Sequence, residues 1–255
     1  MKIFITGATG FLGRSLKEYY APNHEIIEYV RGTDIVSHLE ATVPDLIIHC
    51  AGEIYIADRM FSTNVVMVES ILEWVRRNPA TKMIHIGSSS EYGALNRPSR
   101  ETDRINPLNV YEATKGAGTL LCQGYARHYD LDICVARIYS GYGAYEKERR
   151  LFPTLYRAFF QDEPMKLYDG VHDFIYIDDF VRGIDLMLQT WDLAPGDIIN
   201  FGSGVQTSNF ELLNIFEQVT GRSAPVSKVT EFHKAFETAV WVCDTSRARE
   251  EYDYY

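Results

Sequence analysis

A chain of 255 residues, 46% hydrophobic, 24% charged and 13% aromatic, can bury a full core as one large domain or as a domain with a smaller lobe. Its net charge of −10 argues against nucleic acid or an anionic membrane as a partner. Four single cysteines (Cys50, Cys122, Cys134, Cys243) without C-x-x-C spacing, no apolar run of membrane-spanning length and no signal-peptide pattern point to a reducing, cytoplasmic setting with no metal site.

Residues 2–6 form a short apolar strand, followed at once by Gly7-Ala8-Thr9-Gly10-Phe11-Leu12-Gly13 and an amphipathic helix over 14–20. Strand, glycine turn and helix in this order are the context of a dinucleotide-binding fingerprint. Gly7 makes the tight turn, Gly10 admits a pyrophosphate against backbone, and Gly13 lets the helix pack on the strand; Phe11 and Leu12 open the helix whose N-terminus faces the phosphates. The second strand, 25–30, ends in Val30 rather than an acid, and Arg31 follows. An acid there grips ribose hydroxyls, whereas an arginine suits a 2′-phosphate, so the pattern favours NADP over NAD. Asp34 and Ile35 are placed to border the adenine.

Residues 45–52 read as a buried parallel strand ending in the small residues Ala51 and Gly52, which allow close approach of a ligand. A helix follows over 64–77, with Asn64 at its start as a cap. The strand 83–86 runs into Gly87-Ser88-Ser89-Ser90-Glu91-Tyr92-Gly93, at the strand end where ligands bind in an open parallel sheet. The helix 111–129 opens with Tyr111 and Lys115, four residues apart and so on one face. A buried ammonium beside a phenol favours the phenolate, so the Tyr111 pKa is expected to fall, suiting proton exchange with a sugar oxygen while a cofactor carries hydride. Strand 133–138 completes an alternation of strands and helices that predicts an α/β, Rossmann-type doubly wound parallel sheet over 1–140. Residues 141–255 are less regular and are assigned mainly to a smaller α/β substrate-binding lobe, with segments such as 171–182 able to return to the core.

The ordered set Gly7-x-x-Gly10-x-x-Gly13, Ser88-Ser89-Ser90-Glu91-Tyr92-Gly93, Tyr111-x-x-x-Lys115, Arg137-x-x-Ser140-x-Tyr142-Gly143, Phe174-Ile175-Tyr176-Ile177-Asp178-Asp179, Asn200-x-Gly202-x-Gly204 and Asp244-x-Ser246-x-Ala248 resembles the extended short-chain dehydrogenase/reductases of the nucleotide-sugar epimerase/dehydratase group. The resemblance implies Tyr111 as general acid/base, Lys115 as its partner and a ribose ligand, and Ser89 as hydrogen-bond donor to the sugar C4 oxygen. It puts Ala51 along the nicotinamide side. Ser90, Glu91, Ser140 and His172 are the implied substrate contacts; Ser140 stands where an asparagine is common, and His172 where an arginine often meets the nucleotide's phosphates. The implied partners are a nucleotide-diphosphate sugar and a second copy of the chain, as a homodimer. Among reactions, reduction of a 4-keto sugar leads narrowly over C4 epimerisation. A 4,6-dehydratase comes third: Glu91 would supply one of its acids, and Ser90 stands where the other belongs.

Overall fold

The structure, a computed structural model, describes residues 1–230, 240–252 and 254; residues 231–239, 253 and 255 of the expected second lobe lie outside it. The first half alternates strand and helix: β1 (Lys2–Thr6), α1 (Phe11–Tyr20), β2 (Glu25–Glu28), α2 (Ile35–Thr42), β3 (Leu46–His49), α3 (Ala57–Phe61), α4 (Met67–Arg77), β4 (Lys82–Ser88), α5 (Val110–Tyr129) and β5 (Ile133–Ile138). After β5 come β6 (Ser140–Tyr142), α6 (Leu151–Gln161), β7 (Met165–Tyr168), β8 (Val171–Tyr176), α7 (Ile177–Thr190), β9 (Ile198–Phe201), β10 (Gln206–Ser208), α8 (Asn209–Thr220), β11 (Val226–Val229) and α9 (Ser246–Tyr252).

Six strands form one parallel sheet in the order β2-β1-β3-β4-β5-β9. Successive strand residues face opposite sides, and here both sides are covered, so the central strands are mostly apolar on both faces. Ile3, Ile5, Leu46, Ile48, Ile84, Cys134 and Ala136 face one core, while Phe4, Ile47, Met83, Ile133 and Val135 face the other. The first core takes Leu16 of α1 and Phe180, Ile184 and Met187 of α7; the second takes Leu39 of α2, Trp74 and Val75 of α4, and Cys122 of α5. All four cysteines are unpaired. No described helix is long and apolar enough to cross a membrane.

The return of the second half to the sheet is wider than the segment 171–182: α7, β9 and α9 all join the first core. What stands apart is a third apolar cluster built from Leu155 and Phe159 of α6, Leu167 of β7 and Leu212 and Leu213 of α8. The strand order also differs from the usual doubly wound pattern, in which a further strand lies outside β2. Here β2 is the edge, because residues 29–34 lead straight into α2.

One local feature differs from expectation. Asn64 does not cap a helix; it sits in a π-helical turn, Ser62–Val66, between α3 and α4. Its buried side chain accepts from the Glu53 amide (2.8 Å) and donates to the Glu53 carbonyl (2.9 Å) and the Thr114 hydroxyl (3.0 Å), tying the loop after β3 to α5. On α5, Leu121 and Tyr125 pack against the core and Leu120 is exposed.

Candidate active site

The C-terminal ends of β1, β3, β4 and β5 open into a cavity of about 510 Å³. Its floor is the turn after β1. Gly7 has φ +67°, and a Cβ there would lie 3.0 Å from the Ala51 amide; a Cβ on Gly13 would lie 2.3 Å from the Gly7 carbonyl oxygen. Only glycine fits either position. Gly10 precedes α1 with no side-chain cap, leaving the first helical amides free for an anion. Gly7, Gly10, Phe11, Leu12 and Gly13 all line the cavity. These residues fit a dinucleotide pyrophosphate.

The wall behind the turn is polar and closed. Thr6 shares a 2.7 Å hydrogen bond with His49 Nδ1, and its hydroxyl accepts from the Ala51 amide at 3.0 Å. Ala51 therefore presents backbone to the turn, while its neighbours Cys50 and Gly52 line the cavity. His49 stacks on His85 of β4, ring centroids 5.3 Å apart, with both rings fully buried near Lys115. Burial holds both imidazoles neutral: the His49 pKa drops to about 3, with the Lys115 charge adding to the effect, and that of His85 lies well below 6.5. A depressed histidine contributes stability that is full above its unfolded pKa, about 6.5, and that is lost as pH falls towards the folded pKa. Stability is therefore expected to drop between about pH 7.5 and pH 5, by roughly 2 kcal/mol for His49, with His85 adding in the same direction. His85→Leu should flatten that slope in urea unfolding; an unchanged slope would place its source elsewhere.

The serine turn is set by its own side chains. Ser88 ends β4 and caps a 3-10 turn, Ser89–Tyr92, while Glu91 reaches back to accept from the Ser88 amide at 2.8 Å. Ser88 bonds to Ser90 through their hydroxyls (2.7 Å) and also to Tyr111. Ser89 is buried at the cavity wall, and Ser90 lines it as well. The hydroxyl brought against the Tyr111 phenol is that of Ser88, one residue before Ser89, the expected donor to the sugar C4 oxygen. Glu91 does not reach the substrate space. It is fully buried in an ion pair with Arg137 Nε at 2.8 Å, and the Arg137 guanidinium lies 4.4 Å over the Tyr92 ring.

Tyr111 and Lys115 are delivered by α5, whose cap Asn109 accepts from the Glu112 amide at 3.0 Å. Both side chains line the cavity. Lys115 is buried and donates to the Ile86 carbonyl at 2.6 Å. The expected fall in the Tyr111 pKa is not found. Burial raises it, the Ser88 hydrogen bond offsets only part of the rise, and the Lys115 ammonium is engaged by a carbonyl rather than by the phenol. Desolvation in turn lowers the Lys115 pKa.

The far wall comes from the second half of the chain. Ser140 and His172 line the cavity and meet each other, Oγ to Nδ1, at 3.1 Å. Burial brings the His172 pKa down to about 4, and the charge of Arg150 adds to it. Lys147 and Arg150 join the lining; Arg150 donates to the Gly141 carbonyl (3.2 Å) and to Glu146 (2.7 Å). These two cations were not singled out from the sequence, where they lie in a run of charged residues without periodicity. Asp173 beneath His172 accepts from the backbone amides of Ser203, Gly204 and Cys243, fixing two further segments behind the wall.

Four expected cofactor contacts lie outside the cavity lining: Ala51, whose amide is held by Thr6, and Asp34, Ile35 and Arg31. Asp34 caps α2 by accepting from the Ser37 amide at 2.8 Å, and Ile35 packs in the core beside Leu39. Arg31 is not a lone cation: its guanidinium stands 3.9 Å from the carboxylate of Glu53, beyond β3.

Residues 3–202 match the model of the NAD dependent epimerase/dehydratase family. The uncharacterized UDP-glucose epimerase YtcB of Bacillus subtilis is 26% identical over 88% of this chain and 84% of its own length. The dTDP-glucose 4,6-dehydratase of Haemophilus influenzae is 25% identical over 88% of this chain and 81% of its own. Among solved structures, the UDP-glucuronic acid 4-epimerase of Bacillus cereus, in complex with UDP-glucuronic acid and NAD, is similar with a TM-score of 0.88 and 25% identity, covering 100% of this chain and 94% of that one.

Proposed function

The chain belongs to the NAD dependent epimerase/dehydratase family, and within it we propose that it is a nucleotide-diphosphate-sugar C4 epimerase that keeps and recycles its dinucleotide. One observation carries the choice of reaction. The cavity offers the hydroxyls of Tyr111 and Ser88 with Lys115 behind them, while the carboxylate of the serine turn, Glu91, is consumed by its buried pair with Arg137. Among the described lining residues the carboxylate is Asp169, in the turn between β7 and β8. Proton transfer at a C4 oxygen is thus provided for, whereas elimination across C5 and C6 lacks the acids it needs on the serine turn.

When bound, the nicotinamide would accept the C4 hydride and return it to the opposite face of the sugar. Tyr111 would take the C4 hydroxyl proton as hydride leaves and give it back on return. Ser88, bonded to the phenol, would donate to the C4 oxygen in its carbonyl state, where charge develops. Lys115, fixed by the Ile86 carbonyl, would meet the nicotinamide ribose. Lys147 and Arg150 would face the sugar's diphosphate, with His172 neutral between Arg150 and Ser140.

Reduction of a 4-keto sugar is the second reading. Its support was a free Arg31, and the ion pair with Glu53 removes much of it. Acid denaturation of the purified protein is expected to release stoichiometric NAD, and UDP-glucose or UDP-glucuronate is expected to equilibrate with its C4 epimer without added dinucleotide and without net NADH formation. An empty protein that consumes NADH or NADPH with a 4-keto sugar, and leaves the C4 epimers unmixed, would establish the reductase instead.

A further inference from the structure

Arg31 and Glu53 lie on either side of the strand that carries the glycine turn. In the parallel order β2-β1-β3, Arg31 follows β2 and Glu53 follows β3, so their contact spans the C-terminal end of β1. A dinucleotide seated on that turn directs its adenosine ribose towards the end of β2. Among the described residues no strand lies outside β2, so little else of the sheet surrounds that ribose.

We propose that Glu53 is the residue that selects NAD over NADP, supplying from the loop after β3 the acid that Val30 lacks at the end of β2. The proposal rests on dinucleotide binding in the site described above. Glu53 is held in place: one carboxylate oxygen accepts from the backbone amides of Ile54, Tyr55 and Ile56 at 3.0, 3.0 and 3.2 Å, and the other faces Arg31. The amide of residue 53 and its carbonyl are clamped in turn by the buried Asn64 side chain. Backbone hydrogen bonds lower the Glu53 pKa, so it stays ionised at neutral pH. An anchored carboxylate accepts from ribose 2′- and 3′-hydroxyls and repels a 2′-phosphate dianion. Arg31, whose side chain is 76% exposed, meets that phosphate only in the company of the Glu53 charge.

The test is the pair of dissociation constants for NADH and NADPH, read by energy transfer from protein tryptophan in the full chain freed of dinucleotide. Wild type is expected to bind NADH more tightly. Glu53→Gln keeps a carbonyl oxygen for the three amides and should raise NADPH affinity, narrowing the preference by roughly three- to fivefold, the scale of one partly screened charge contact. Adding Arg31→Ala to Glu53→Gln should remove that gain while changing NADH binding little. A wild type that prefers NADPH, or an NADH-to-NADPH ratio unchanged in Glu53→Gln, would overturn the role of Glu53 and leave the site reading intact. Binding of neither dinucleotide would overturn both.

Discussion

Tyr111→Phe should lower turnover by about 10²–10⁴-fold, the range for loss of a positioned acid/base, while leaving dinucleotide binding close to wild type. The phenol ring that lines the cavity is kept, and only the proton carrier is lost. Ser88→Ala removes the hydroxyl bonded to the phenol and should cost about 10²–10³, the scale of one donor to a developing oxyanion. Ser89→Ala should cost clearly less, because Ser89 lies on the wall without that bond. A larger loss for Ser89→Ala than for Ser88→Ala would favour Ser89 as the donor, as expected from the sequence. The pH dependence carries a sign. Burial raises the Tyr111 pKa, so the phenol is the resting form near neutrality. Oxidation of the C4 alcohol needs the phenolate, and in single-turnover measurements its rate should climb with pH. Reduction of the 4-keto sugar uses the phenol and should not climb. Replacing Tyr111 with Phe should abolish the rise.

The parts of this site that were legible from the sequence are those fixed by near neighbours. The glycine turn could be read because strand, turn and helix fall within a few residues of one another, and backbone contacts at Gly7 and Gly13 forbid any side chain. The doubly wound sheet could be read because the strands buried on both faces are mostly apolar, with few polar residues such as His85 and Arg137 among them. Tyr111 and Lys115 could be paired because a helix places residues four apart on one face.

What escaped depended on partners distant in sequence. Ser88 rather than Ser89 meets the phenol because Glu91 and the crowded Gly87 fix the register of the serine turn, where a Cβ on Gly87 would lie 3.0 Å from Arg137 and Glu91. Counting from the last apolar residue of the strand could not include that constraint. Arg31 looked free because Glu53 is two strands away in space. The Tyr111 pKa was misjudged because spacing shows that an ammonium is near but not that the Ile86 carbonyl holds it. The edge position of β2 left its own trace, a link of residues 29–34 too short for a further strand and helix.

Arg137→Met should destabilise the fold by about 3–5 kcal/mol, the cost of leaving one member of a buried ion pair without its partner. Arg137 and Glu91 are each no more than 1% exposed and meet at 2.8 Å, where the serine turn after β4 packs on the end of β5. Methionine fills much of the same volume, so the loss comes chiefly from the Glu91 charge, which has no water to turn to. In the double variant Glu91→Gln, Arg137→Met, a neutral amide still accepts from the Ser88 amide, and most of the lost stability should return. Urea unfolding of the four proteins measures the coupling, and equal losses in the single and double variants would show that shape rather than charge governs the site. Activity adds a second axis. Glu91 fixes the Ser88 amide, and Ser88 meets Tyr111, so Arg137→Met should reduce turnover even where the protein remains folded. In the double variant turnover should recover together with stability, since the same hydrogen bond at Ser88 supports both.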